Sequence, residues 1–421
     1  MDIALSKLAT ELYRSVSPVR EIMQYANKDR LRELGVKEGQ FISFGGGWVD
    51  HESPALMRDL YIEFAQDPAK FHYCGAYAPT NGEPDCKSAV CRFESALYRV
   101  TGMTGDNIVI GQSSTQLTHL LLRVLLDPGD TICLLDPSYC NYPLQLHTAI
   151  GARTVRFPVV ETDPFRYSGH DAETIERFGR FLLEHQPKVV LLVSPDNPTS
   201  QVLSDQFVKT AYEAVKSYGG AVVMDFAYKT LVFGDTPEYF SWPPDGNFMS
   251  VHSNSKWCHG LGRRLGWIEA PSHVAQAFES FQNSTVLCPD RLHQLVLAAY
   301  IETAAADGSL RRYVDDVRGM YTRTAQATVE ALVSYLSLPY LVPQGGLYTC
   351  IRVDENGAAF VERVLKNTSV LLIPGWGFGH SLNKAVRLSF GPHVHNNPLI
   401  AEGVRRVAEY LGREGSHHPT N

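Results

Sequence analysis

From about residue 105 the chain alternates short runs rich in Val, Ile and Leu with longer segments whose apolar residues recur every three to four positions. No other feature constrains the fold as much. A strand followed by a crossover helix returns the chain to a parallel neighbour, and a parallel sheet has to be covered on both faces. The runs predict strands at Asn107–Ile110, Thr131–Leu135, Thr154–Phe157, Lys188–Val193, Ala221–Asp225, Phe248–His252 and Leu265–Glu269. Thr115–Leu126, Asp205–Tyr218 and the segment after Pro271 have the spacing of crossover helices. The expected fold class is therefore α/β, with a large domain built on a mostly parallel seven-stranded sheet covered by helices.

Past residue 290 the pattern changes. Long helical stretches at Leu292–Ala306 and Ser309–Tyr335 precede short strands near Leu347–Arg352 and Val386–Phe390, with a helix at Ala358–Leu365 between them. This reads as a smaller α+β domain. The first 50 residues, with a helix at Val19–Ala26 and a Gly45-Gly46-Gly47 turn, are too few to fold alone. The expected division is residues 1–50 as an N-terminal arm and part of the small domain, 51–290 as the large domain and 291–421 as the C-terminal small domain. A length of 421 residues suits two packed domains at about 150 residues each. The closing GREGSHHPTN reads as a loose tail.

Charge narrows the range of partners. With 38 Lys+Arg against 45 Asp+Glu and no basic run, the chain has no electrostatic footprint for a phosphate backbone, so nucleic acid is not an expected partner. Apolar stretches such as Ile132–Leu135 fall far short of the ~20 residues of a membrane helix, and MDIALSKLATELYRS lacks a signal-peptide core. Eight cysteines are scattered without a C-x-x-C pair, which reads as reduced thiols in a cytoplasmic protein, and no metal site is expected.

The segment richest in chemistry is Ser253-Asn254-Ser255-Lys256, followed by Gly260, Gly262 and Arg263-Arg264. A lysine at a strand end, beside hydroxyls and a flexible turn, suits Schiff-base chemistry, which needs a desolvated, deprotonated amine. Upstream, the apolar strand Ala221–Met224 ends on Asp225, with Tyr228 three residues on. In open α/β sheets ligands sit at the carboxyl ends of strands, and an aspartate there can keep a pyridine nitrogen protonated. Ser113-Ser114-Thr115 pass directly from a strand into a helix, whose N-terminus can receive a phosphate. Tyr139, after Pro137-Ser138, can lie against a planar ring, and Asn197 sits in a polar turn after another strand. Arg387, alternating with apolar neighbours, suits bidentate capture of a carboxylate.

In this order the motifs resemble the class I/II aminotransferases, the aspartate-aminotransferase-like fold type I enzymes that depend on pyridoxal 5′-phosphate (PLP). The resemblance runs from about residue 15 to 411 through Tyr77-Ala78-Pro79-Thr80-Asn81-Gly82, Ser113-Ser114-Thr115, Pro137-Ser138-Tyr139, Asn197-Pro198-Thr199, Asp225 with Tyr228, Ser253 to Lys256, Arg264, Pro374-Gly375 with Phe378-Gly379, and Arg387. It implies that Lys256 holds PLP in a Schiff base and then moves the proton between the substrate Cα and the cofactor. It implies Asp225 at the ring nitrogen, Asn197 and Tyr228 at the phenolate oxygen, and Tyr139 on the ring face. Ser113, Ser114, Thr115, Ser253 and Arg264 would surround the phosphate, joined by Tyr77 from a second subunit, so a homodimer with shared active sites is implied. Arg387 and Asn197 would meet the substrate, with Gly47 and Trp48 in the loop that closes over it and His51 as a further candidate for side-chain recognition.

The expected activity is transfer of an α-amino group from an L-amino acid to a 2-oxo acid. Elimination or replacement, decarboxylation, cyclisation or oxidation of an amino acid would use the same machinery. A non-catalytic PLP-binding sensor would need an appended DNA-binding domain, for which the N-terminal residues offer neither length nor basic character. The chain departs from the family pattern at Trp48-Val49-Asp50-His51, Cys86-Lys87 and Ser200, outside the core cofactor set. The loop Asn283–Pro289 carries no arginine for a distal carboxylate, which points to a neutral, aromatic or specialised donor.

Overall fold

The computed structural model describes residues 3–14, 27–33, 35–36 and 39–415; the helix expected at Val19–Ala26 lies outside them. All seven expected strands form, and they join in one sheet in the order Ile108–Gly111, Gly266–Glu269, Phe248–Ser253, Ala221–Asp225, Val189–Val193, Thr131–Asp136, Arg153–Pro158. The sheet is parallel except at Gly266–Glu269, which runs antiparallel to both its neighbours.

The central strands Val189–Val193 and Ala221–Asp225 are buried along their whole length, as a sheet covered on both faces requires. Side chains alternate between two cores. Leu134, Leu191 and Val223 pack with Leu117, Leu121 and Phe278 on one face. Cys133, Val190, Leu192 and Val222 pack with Phe178, Phe207 and Val215 on the other. The crossover helix Asp205–Tyr218 shows how local chemistry sets its limits. Ser204 Oγ accepts from the Phe207 amide at 3.2 Å to start it, and Gly219, at φ 80°, ends it in the left-handed region.

Toward the Ile108–Gly111 edge, Ile108, Ile110 and Trp267 are covered by Phe93 and Leu97 of the helix Pro84–Tyr98 and by Val296 and Leu297 of the helix Arg291–Ala306. The core of the large sheet therefore extends past residue 290. A second, three-stranded antiparallel sheet of Tyr348–Arg352, Ala385–Ser389 and Ile373–Pro374 packs with Phe44, Leu332, Phe360, Leu365 and Val404. Beside it, Ile42–Ser43 pairs in parallel with Val370–Leu371, tying this N-terminal segment to the C-terminal core.

The expected loose tail begins in a helix, and its residues 416–421 lie outside those described. The helix Asn397–Gly415 runs through the first four residues of GREGSHHPTN because Val404, Val407, Tyr410 and Leu411 keep one face against the small core. Among the described residues no helix is long and apolar enough to cross a membrane.

The Phe178 and Phe207 rings stack at 4.4 Å, both fully buried, and join the two helices on one face of the large sheet. Phe178→Ala is expected to lower the unfolding free energy by ~3–5 kcal/mol, seen as a lower urea midpoint at an unchanged slope.

Candidate active site

Parallel strands deliver their carboxyl ends to one edge of the sheet, and the polar motifs are there because they follow those strands directly. Asp225 ends its strand, Asn197 lies in the turn after Val189–Val193, Tyr139 follows Thr131–Asp136, and Ser114 and Thr115 open the helix Ser113–Leu125. Lys256 sits in the connection between Phe248–Ser253 and the antiparallel Gly266–Glu269. From the other side, the small sheet supplies Arg387 and Tyr348, and the Gly45–Trp48 loop closes the top. Together they enclose a cavity of about 330 Å³ lined by Gly47, Trp48, Ser114, Thr115, Tyr139, Asn197, Asp225, Tyr228, Ser253, Lys256, Arg264 and Arg387.

Lys256 keeps part of its surface open to the cavity, but that cavity is inside the fold. Burial, with Arg264 and Arg387 repelling a further positive charge, lowers its pKa to about 7. Its Nζ donates to Gly47 O at 2.5 Å and stands 5.5 Å from the centre of the Tyr228 ring. Asp225 is 6% exposed and accepts from Tyr142 Oη at 2.6 Å and from the Ala227 amide at 2.9 Å. Burial raises the affinity of this carboxyl for its proton, opposed by those two donors and by the charge of His252.

At the helix N-terminus, Arg264 donates to Ser113 Oγ and, at 2.7 Å, to Leu261 O, which fixes a guanidinium at the cavity wall beside Ser114 and Thr115. Ser253 Oγ accepts from the Ser255 amide at 3.2 Å on the same side. Arg387 is buried between the rings of Tyr348 and Phe378, 4.4 and 5.0 Å from their centres. It donates to Asn197 Oδ1 at 2.9 Å and to Gly45 O at 3.0 Å, while its buried Nε has no hydrogen-bond partner among the described residues.

Three expected site residues do not line this cavity. The Ser113 side chain is fully buried behind it as the acceptor for Arg264, with the backbone at φ 66° where the strand turns into the helix. Tyr77 stands outside, 81% exposed. His51, open to two readings as a substrate contact or a packed loop residue, is the packed residue: it is 1% exposed, and its ring nitrogens pair with Tyr321 Oη at 3.0 Å and Trp257 O at 3.3 Å. Burial lowers its pKa to about 4, although the Trp257 carbonyl acts against this.

Two residues missed in the sequence complete the site. Tyr142 holds Asp225, and Tyr348 links its hydroxyl to that of Tyr228 at 2.7 Å while lying against Arg387. Tyr142 follows Tyr139 by three residues and Tyr348 follows a Gly-Gly pair. Either spacing could have drawn attention to them, but neither names a partner in space.

The donor set fits PLP. An amine that gives up its proton easily, a buried carboxylate at the cavity floor, and a helix N-terminus joined by a guanidinium and serine hydroxyls are what the cofactor's aldehyde, ring nitrogen and phosphate require. The unpartnered Nε of Arg387 leaves a donor for a substrate carboxylate.

Comparison with known proteins agrees with this chemistry. The model of the family "Aminotransferase class I and II" matches residues 55–405. Aspartate aminotransferase of Pyrococcus horikoshii is 24% identical over 404 residues, covering 94% of this chain and 98% of that protein. Aromatic-amino-acid aminotransferase 2 of Thermococcus litoralis is 24% identical over 400 residues, covering 92% and 97%. The solved aspartate aminotransferase of Thermus thermophilus with maleate superposes with a TM-score of 0.81 at 21% identity, over 96% of this chain and all of that one.

The lowered pKa of Lys256 has a measurable effect on stability. Its folded pKa of about 7 lies below the ordinary 10.5, so the unfolded chain binds more protons between these values and stability rises with pH across that window. Lys256→Met is therefore expected to raise the melting temperature of the PLP-free protein at pH 7, with a gain that shrinks toward pH 10 in scanning fluorimetry. With its cavity so equipped and the family match spanning most of its length, the chain belongs to the aminotransferase class I and II family and is a PLP-dependent aminotransferase.

Proposed function

We propose that this aminotransferase moves the α-amino group of an L-amino acid to a 2-oxo acid at the cavity around Lys256, each site residue acting where the chain puts it. The observation that carries this reading is the meeting of three groups in one enclosed space: the Lys256 amine, the Asp225 carboxylate and the Arg387 guanidinium. Bound PLP supplies an electron-withdrawing ring that takes up the electron pair left when Cα loses its proton.

Lys256 would hold the cofactor and would carry the proton from Cα; a pKa near neutrality suits both roles. Asp225, steadied by Tyr142, would hold the ring nitrogen in its protonated form. Asn197 and Tyr228 would hold the phenolate oxygen, Tyr139 the ring face, and Ser114, Thr115, Ser253 and Arg264 the phosphate; all line the cavity, and Ser113 fixes Arg264 from behind. Arg387 grips the α-carboxylate and so orients Cα–H, with Gly47 and Trp48 above it. The lining around Trp48, Tyr139, Tyr348 and Leu371 favours a neutral or aromatic substrate side chain. Eight free cysteines support a cytoplasmic location.

The test is spectral and chemical. The purified protein is expected to show the absorbance band of lysine-bound PLP, lost in Lys256→Ala, and to release one equivalent of oxo acid per site when an amino acid is added without an acceptor. Continuous turnover without an acceptor, with ammonia released, would replace transamination by elimination.

The second proposal is a homodimer in which Tyr77 completes the partner's site. It is supported by the exposure of Tyr77, Phe71 and Tyr73, which lie close together in the chain. Sedimentation is expected to give a species of twice 46.8 kDa, and Tyr77→Ala to weaken PLP binding without altering the sedimenting mass.

A further inference from the structure

Tyr348 opens the strand Tyr348–Arg352 of the small sheet and reaches across the cavity to the large one. Its backbone is fixed: the amide donates to Ser200 Oγ at 2.9 Å, and in the antiparallel ladder it lies opposite Ser389. The side chain is 1% exposed, with Oη 2.7 Å from Tyr228 Oη and the two rings edge to face, 5.9 Å between centres and 79° between planes. The Gly47 backbone closes on the same hydroxyl, since a Cβ on Gly47 would stand 2.9 Å from it. The Arg387 guanidinium lies 4.4 Å from the centre of the Tyr348 ring.

A phenol has one proton to give and an oxygen that accepts. Burial pushes the pKa of both phenols up, so both protons stay in place, and one of them lies in the bond between the two oxygens. Among the described residues that bond is the only hydrogen bond either hydroxyl makes. The second proton is therefore free to point into the cavity that both residues line. An anion there settles which phenol directs it. When the phenolate oxygen of PLP takes the proton of Tyr228, the Tyr228 oxygen accepts from Tyr348, and a phenol polarised in this way donates more strongly than one left alone.

Other ionisable groups face the pair from several elements. Lys256 Nζ stands 5.5 Å from the centre of the Tyr228 ring, Arg387 lies on Tyr348, Tyr139 and Cys140 come from the segment after Thr131–Asp136, and Asp196 from the turn after Val189–Val193. None of them shares a hydrogen bond with either hydroxyl among the described residues. All stay in place when only the two phenols are varied, so their influence is common to every protein compared.

We propose that Tyr348 is a positioning residue for Tyr228: its hydroxyl donates to the Tyr228 oxygen and so commits the Tyr228 proton to the cofactor's phenolate oxygen. The proposal rests on the reading of Tyr228 as a partner of that oxygen.

In lysine-bound PLP the Lys256 nitrogen and the phenolate oxygen share a proton, and a donor bonded to the oxygen weakens their hold on it, which lowers the pH at which the absorbance band changes. The full-length, PLP-loaded protein is therefore titrated by absorbance. Tyr228→Phe is expected to raise the midpoint by at least about one pH unit and Tyr348→Phe by at least about half a unit, while the double variant matches Tyr228→Phe alone. That non-additivity is the result a merely structural role would not give. Affinity for 3-phenylpropanoate, a carboxylate without an amino group, is expected to stay within about twofold of the wild type in Tyr348→Phe, because the ring remains over Arg387. A Tyr348→Phe midpoint equal to the wild type, a double variant that adds the two shifts, or a loss of carboxylate affinity of about tenfold in Tyr348→Phe overturns the proposal. Should Tyr348→Phe fail to fold, Tyr348→Leu carries the spectral readout, with the same shift expected. A Tyr228→Phe midpoint equal to the wild type refutes the parent reading of Tyr228 and the proposal with it, whereas a shift in Tyr228→Phe without one in Tyr348→Phe refutes the proposal alone.

Discussion

The parallel ladder between Val189–Val193 and Ala221–Asp225, with Val193 opposite Asp225, is the constraint on which the site depends. Both strands are buried, and apolar except for the closing Asp225, so their register is held by side chains that cannot shift by one residue without turning a core face toward the wrong layer. The polar residues begin where the apolar run ends. Asn197 and Asp225 reach the same edge because the two strands are alike in length and parallel, and the next strand brings Ser253 and the lysine loop to that edge as well. The one antiparallel strand, Gly266–Glu269, is what lets the chain turn back through Lys256 and place Arg264 beside the helix N-terminus.

The second half of the site comes from the small sheet and is joined to the first by polar contacts. Arg387 crosses to Asn197, and Tyr348 crosses to Tyr228. Ser200 accepts from the Gly345 amide through its carbonyl and from the Tyr348 amide through its hydroxyl. Phe378 supports Arg387 from below, and its neighbour Gly379 approaches Asp136 so closely that an added Cβ would stand 2.0 Å from Oδ1. The Asp136 carboxylate in turn accepts from the amides of His380 and Ser381. The Phe378-Gly379 motif therefore records a close approach between a strand end of the large sheet and a loop of the small one.

Most of the framework was legible because it rests on local signals. Apolar runs marked all seven strands, and apolar spacing marked the helix Asp205–Tyr218. The antiparallel direction of Gly266–Glu269 was not, since an apolar run of four residues carries no direction. The helix Pro84–Tyr98 went unnoticed because its apolar face is interrupted by Glu94, which belongs to a buried ionic cluster and not to solvent. Residues of the site whose roles follow from their own chemistry and strand position, such as Lys256 and Asp225, could be named in advance. Tyr142 and Tyr348 act only through partners 83 and 120 residues away, and only the fold, packing His51 against Tyr321 and Trp257, decides between its two readings as a substrate contact and a packed loop residue.

The three glycines of the N-terminal loop do more than turn the chain. Gly45 O accepts from Arg387 and Gly47 O from Lys256, so main-chain carbonyls occupy donors that face the cavity, while Gly46 O accepts from the buried Ser389 behind it. Side chains have no room to replace them, because a Cβ on Gly46 would meet the Trp48 ring at 2.2 Å and one on Gly47 would meet Tyr348 Oη at 2.9 Å. The partial negative charge of these carbonyls lets two cationic side chains share one enclosed space before any anion arrives. An anion entering this space would meet a guanidinium already held in one orientation, with Gly45 O and Asn197 Oδ1 as its acceptors.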